Sequence, residues 1–91
     1  MSVWCEVELW ALIPKDTKLS IQKLTRDFFD ELSVGGYRQE PFGQHLKIDY
    51  TFTFCADGMD AAKGIARYLE LAKEKEPKIR ADITASIRFL V

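Results

Sequence analysis

The side chains that could do chemistry in this chain are few and widely spaced. There is one histidine, His45, and two cysteines, Cys5 and Cys55, among 14 acidic and 13 basic residues. A structural zinc site needs four nitrogen or sulfur ligands, commonly in closely spaced pairs, and no such spacing exists. A cysteine nucleophile needs a histidine within hydrogen-bond reach. Cys55 and His45 stand at opposite ends of one alternating stretch, HLKIDYTFTFC. As a strand, that stretch would hold them about 33 Å apart. Cys5 falls on the apolar alternation of its own segment and reads as an inert buried thiol. Gly35-Gly36 belongs to no GxGxxG or GxxxxGK[ST] phosphate loop and reads as a helix stop. Asp27, Asp30 and Glu31 read as a solvated helix face, and Asp57 and Asp60 as helix caps. No carboxylate pair sits in the kind of apolar setting that holds one member protonated for acid–base work. No metal or cofactor is implied, and the balance points away from an enzyme.

The residues that do stand out are in VWCEVELWALIP, residues 3–14. Val3, Cys5, Val7, Leu9, Ala11 and Ile13 form one continuous apolar face of a strand. The other face should be polar, yet Trp4, Trp10 and Leu12 share it with Glu6 and Glu8. Apolar area of that size on an open sheet face marks an interaction surface, and tryptophan is enriched where binding energy concentrates. The opposing reading is that the indoles merely cover and stabilise the sheet.

The hydrophobic period shows what positions that strand. Residues 2–13 alternate, and Pro14 ends the run. Residues 18–33 place Ile21, Leu24, Phe28 and Leu32 on one helical stripe, capped by Thr17 or Ser20 and stopped at Gly35 and Gly36. Residues 37–40 make a weak strand, and Pro41 and Gly43 punctuate a connection. Residues 45–55 alternate strongly, with Leu46, Ile48, Tyr50, Phe52 and Phe54 on the core face. A second helix follows, capped by Asp57 or Asp60, with Met59, Ala62, Ala66 and Leu69 inward, joined by Ile65 and Ala72. Residues 78–91 alternate to the end.

The order strand, helix, strand, strand, helix, strand predicts an α+β fold, a ferredoxin-like βαββαβ sandwich, as one domain over residues 1–91. Its antiparallel sheet has the order 4-1-3-2 and carries both helices on one face. The first strand is then central. Its core residues are odd and those of the third strand even, so paired numbers must sum to an odd value. A sum of 57 sets Glu8 against Asp49, whereas 59 sets Trp10 by Asp49 and Trp4 by Cys55. Against the fourth strand, a sum of 94 pairs Glu6 with Arg88 and Trp4 with Leu90. The candidate binding residues are therefore Trp4, Glu6, Glu8, Trp10, Leu12, Asp49, Arg88 and Leu90. Arg80, Asp82 and Arg88 guard the edge of the fourth strand.

Composition narrows the partners. A formal net charge of −1 argues against nucleic acid, as does the lack of a basic patch. RNA-recognition motifs stack bases on aromatics of the first and third strands, but the third strand offers Thr51 and Thr53 on that face. Acylphosphatases place an arginine after the first strand and an asparagine later; this loop reads PKDTK and the chain has no asparagine. No apolar run approaches the roughly 20 residues that cross a bilayer, and the start lacks a signal-peptide pattern. The expectation is a cytoplasmic, non-catalytic protein-binding module acting through the open sheet face, toward another protein or a second copy in a homodimer. Small modules of this type serve as stoichiometric inhibitors, immunity proteins or anti-defence proteins, an expectation that rests on size alone. The alternative is a dimeric small-molecule binder or small enzyme whose site forms between subunits, lined by Tyr37, His45, Asp49 and Arg88.

Overall fold

A computed structural model describes residues 2–29, 31–56 and 60–90. Strand β1 (Ser2–Pro14) is followed by helix α1 (Ile21–Phe28), strands β2 (Ser33–Phe42) and β3 (His45–Cys55), helix α2 (Ala61–Lys75) and strand β4 (Arg80–Leu90). The four strands form one antiparallel sheet in the order β2-β3-β1-β4, which reads β4-β1-β3-β2 from the other edge.

Side-chain alternation decides which face is covered. The odd residues Cys5 to Ile13 of β1 and the even residues Ile48 to Phe54 of β3 are all buried, and they join Ile21 and Leu24 of α1 and Ala61, Tyr68 and Ala72 of α2 in one core. Register follows the same logic, because a one-residue slip would turn each strand inside out. Trp4 pairs with Cys55, Glu8 with Thr51 and Trp10 with Asp49. These pairs all sum to 59, the register that keeps Glu8 and Asp49 apart.

The pairing of β1 with β4 differs from expectation by two residues. Trp4 lies opposite Arg88, Glu6 opposite Ser86, Trp10 opposite Asp82 and Ser2 opposite Leu90. The shift keeps every residue on its face. The expected Glu6–Arg88 pairing offered only a surface ion pair, worth about 0–1 kcal/mol. The turn after α2 outweighs it: Ile79 N–H donates to Glu76 O and delivers β4 at Arg80, opposite Leu12.

Helix α1 is shorter than its stripe suggests. Ser20 caps it, its Oγ accepting from Lys23 N–H at 3.2 Å. It ends at Phe28 because Phe29 turns extended (φ −104°, ψ 138°) and drops into the core. There Phe29 stacks on Phe54 with ring centroids 4.2 Å apart and meets Tyr68 at 5.1 Å. Glu31, expected on the helix face, lies beyond its end with φ 50°; Asp30 is outside the described residues. Gly35 and Gly36 therefore do not stop a helix. They lie in β2, which spans 33–42 rather than 37–40, and the register slips between Val34 and Gly36. A Cβ on Gly35 would meet Thr51 Oγ1 at 3.0 Å, so the bulge is packed against β3. Pro41 is tolerated inside β2 because β2 is an edge strand. The β2–β3 turn is Gly43-Gln44, with φ +60° at Gly43. Left-handed backbone at the first of two turn residues is the hairpin geometry that glycine supplies at no steric cost.

Helix α2 is rotated from its expected face. Ala61, Tyr68 and Ala72 are buried, with Ile65 and Leu71 packed beside them, while Ala62 and Ala66 are exposed and Leu69 is half-buried. The reason is a polar contact across the helices. Thr25 Oγ1 donates to Ile21 O at 2.6 Å and lies 2.7 Å from Tyr68 Oη. Thr25 has one hydroxyl proton, so Tyr68 must donate in the second bond. That partner lets a tyrosine occupy the core position that the alanine pattern did not predict. Met59 and Asp57 are outside the described residues. Asp60 is the cap, its Oδ1 accepting from Lys63 N–H at 3.2 Å. Asp60→Ala is expected to cost about 1 kcal/mol, read as a lowered midpoint in thermal unfolding.

Candidate functional site: the open sheet face

The face without helices can be followed row by row, because the registers align the strands. One row runs Glu40, Lys47, Leu12, Arg80 from β2 to β4; the next runs Arg38, Asp49, Trp10, Asp82. Then come Gly36, Thr51, Glu8, Thr84, and below them Ser33, Thr53, Glu6, Ser86. The last row has Cys55, Trp4 and position 88. Two rows of small hydroxyl residues around Glu6 and Glu8 are thus bracketed by a tryptophan at each end.

Small side chains between large ones leave a depression. A trough of about 290 Å³ is lined by Glu6, Glu8, Thr51, Thr53, Thr84 and Ser86, and on the β2 side by Ser33 and Gly35. A shallower hollow beside Trp10, of about 210 Å³, shares Glu8, Thr51 and Thr84 and adds Asp49. The bulge contributes directly: without a side chain at Gly35 and Gly36, the β2 wall of the trough is low. Sequence reading placed the threonines and Ser86 on this face but missed Ser33 and Gly35. Their signal was hidden because glycines are weak strand formers.

Of the expected site residues, Trp4, Glu6, Glu8, Trp10 and Leu12 share this face with Asp49. Both tryptophans are half-buried rather than fully exposed, as are Glu6 and Leu12, whereas Glu8 and Asp49 are exposed. Arg88 and Leu90 occupy their shifted register positions opposite Trp4 and Ser2; their side chains are outside the described residues. Tyr37 departs from expectation. The bulge reverses the alternation of β2, so Tyr37 lies on the helix side opposite Tyr50, with its ring edge-on at 5.1 Å. It cannot line one cavity with His45 and Asp49 on the opposite side of the sheet.

The charges are sorted by position. Lys47 and Glu40 pair at 3.0 Å across β3 and β2, which holds the Glu40 carboxyl below and the Lys47 ammonium above their ordinary ranges. The remaining positive positions, Arg38, Arg80 and 88, are on the two edge strands. The negative ones, Glu6, Glu8 and Asp49, are on the central strands, with Asp82 beside Trp10. Chemically, the face offers carboxylates next to aromatic surface, an arrangement that attracts cations by charge and by the ring quadrupole. Among the described residues, no three His, Cys, Asp or Glu side chains are grouped to hold a metal ion. Both cysteines are free thiols, and burial pushes the Cys5 thiol above its ordinary range. None of the described helices is long and apolar enough to cross a membrane.

No known family model matches this chain, and no curated protein matches it. Among solved structures it is similar to the de novo designed protein Foldit4, with a TM-score of 0.59 at 8% identity, covering 91% of this chain and 96% of that one. At that identity the likeness speaks to the fold alone: a small α+β domain of four antiparallel strands and two helices.

Proposed function

We propose that the protein is a non-catalytic binding module of ferredoxin-like architecture that recognises another protein through its open sheet face. One observation carries the reading. Trp4 and Trp10 bracket a trough of carboxylates and hydroxyls on a face that no described element covers. Glu8, Asp49 and Asp82 ask for positive side chains on the partner, with the indoles as anchors. A second copy laid face to face would bring these same carboxylates together, so the partner is a different chain. Two free cysteines suit a cytoplasmic setting, and a stoichiometric inhibitor, immunity or anti-defence role fits a domain this small by analogy.

The test begins with a binding protein captured from the native host, identified and purified. Trp4→Ala combined with Trp10→Ala should leave the circular dichroism spectrum unchanged. Affinity for that partner should fall on the order of a thousandfold, from two anchors at about 2 kcal/mol each. A folded double variant that binds as tightly as the parent would end the proposal.

A further inference from the structure

The two edges of the sheet are not equally protected. An edge strand displays unpaired backbone groups that recruit other strands unless something blunts them. The β2 edge is blunted by its bulge between Val34 and Gly36 and by Pro41, which has no N–H to offer. The β4 edge has neither device, and among its described residues only the charges of Arg80 and Asp82 stand against pairing. Its eleven residues, Arg80–Leu90, contain no proline or glycine and pair with β1 without a register break.

Its helix-side face is also left partly open. Ala81 and Ala85 are exposed, although their partners on β1, Ala11 and Val7, are at 0% and 2% exposure. Between them Ile83 is half-buried and packs against the core, so β4 is covered only in part on this side. A strand added beside β4 would therefore gain a ladder of hydrogen bonds and cover small apolar residues. No inward-pointing charge stands among the described residues of that face to prevent it.

We infer that this edge pairs with β4 of a second copy, antiparallel across a two-fold axis. The sequence of β4 selects that occupant. Only one register aligns all eleven residues, the one centred on Ala85. It places Asp82 opposite position 88, an arginine on the same alternation, and symmetry repeats this opposite-charge pair at the other end. Thr84 falls opposite Ser86, Ile83 opposite position 87, and Ala85 opposite itself. No like charges meet. Centring the axis on Thr84 would set Arg80 against position 88, and centring it on Asp82 would set that carboxylate against its own copy, both unfavourable. The pairing joins two four-stranded sheets into one of eight. It engages Asp82 at the rim of the open face but leaves Trp4, Glu8, Trp10 and Asp49 on β1 and β3 uncovered, and its test reads self-association rather than binding of a different chain.

Because Ala85 is exposed and its copy would be directly opposite, Ala85→Cys tests the register. In a Cys55→Ser background, mild oxidation should convert it to a covalent dimer. Ala81→Cys, displaced from the axis, should not cross-link. Sedimentation should show a concentration-dependent dimer of the unmodified chain. Asp82→Arg should weaken that dimer about tenfold, and adding Arg88→Asp should restore it. A chain that stays monomeric up to millimolar concentration would overturn the inference. So would cross-linking of Ala81→Cys as fast as Ala85→Cys.

Discussion

Phe54→Ala is expected to remove about 3–5 kcal/mol of stability, which for a domain of this size is a large share of the 5–15 kcal/mol usual for a folded protein. Phe54 has 0% exposure and lies opposite Cys5 on β3, next to the central strand. Its ring stacks on Phe29, which also touches Phe52 and Tyr68. Truncation would leave a void among rings that α1, α2 and the sheet hold from three sides, and stiff neighbours collapse poorly into such a space. Urea unfolding followed by the emission of Trp4 and Trp10 measures the loss. Phe42→Ala is the control: at 58% exposure, its removal should change stability by no more than about 0.5 kcal/mol. Equal effects at the two sites would contradict the packing described.

The second large effect is alkaline. Burial between the helices pushes the Tyr68 hydroxyl up to about 12 from an ordinary value of 10. Because the Thr25 proton is committed to Ile21 O, ionisation would also remove the proton that Tyr68 donates to Thr25. The folded chain holds this proton where the unfolded chain has released it. The contribution of Tyr68 is therefore constant below pH 10 and is lost as pH rises from 10 toward 12, by about 3 kcal/mol. Tyr68→Phe should cost about 1 kcal/mol at neutral pH, because Thr25 keeps its bond to Ile21 O. The same substitution should make the decline above pH 10 shallower, leaving the slope that burial of Tyr37, Tyr50 and Cys5 contributes. If wild type and Tyr68→Phe lost stability in parallel across that range, Tyr68 would not be the group responsible. Urea midpoints at a series of pH values give both numbers.

How much of this was legible depended on what each residue's neighbours were. β1 and β3 alternate along their whole lengths and are covered on one face, so their spans, faces and mutual register followed from period two and the avoidance of Glu8 against Asp49. β2 was under-read because Ser33, Gly35 and Pro41 are poor strand residues, and only pairing to β3 holds them extended. α1 was over-read because Leu32 continued its stripe, whereas the core drew Phe29 out of the helix. α2 was read a step out of phase because the hydroxyl partner of Tyr68 is 43 residues away. The candidate site divides the same way. Its tryptophans and carboxylates were visible as a broken alternation. The trough between them needed the bulge, which no pattern in the sequence announced.

The place of β1 has a consequence for how the chain is made. β1 precedes both strands that pair with it, which begin at His45 and Arg80. Only the β2–β3 hairpin closes locally, across Gly43 and Gln44. Loops between distant strands close slowly. Until β3 has been made, therefore, the apolar face from Cys5 to Ile13 waits without a sheet, and both tryptophans wait with it. β4, the fourth strand of the sheet in chain order, completes the pairing of β1.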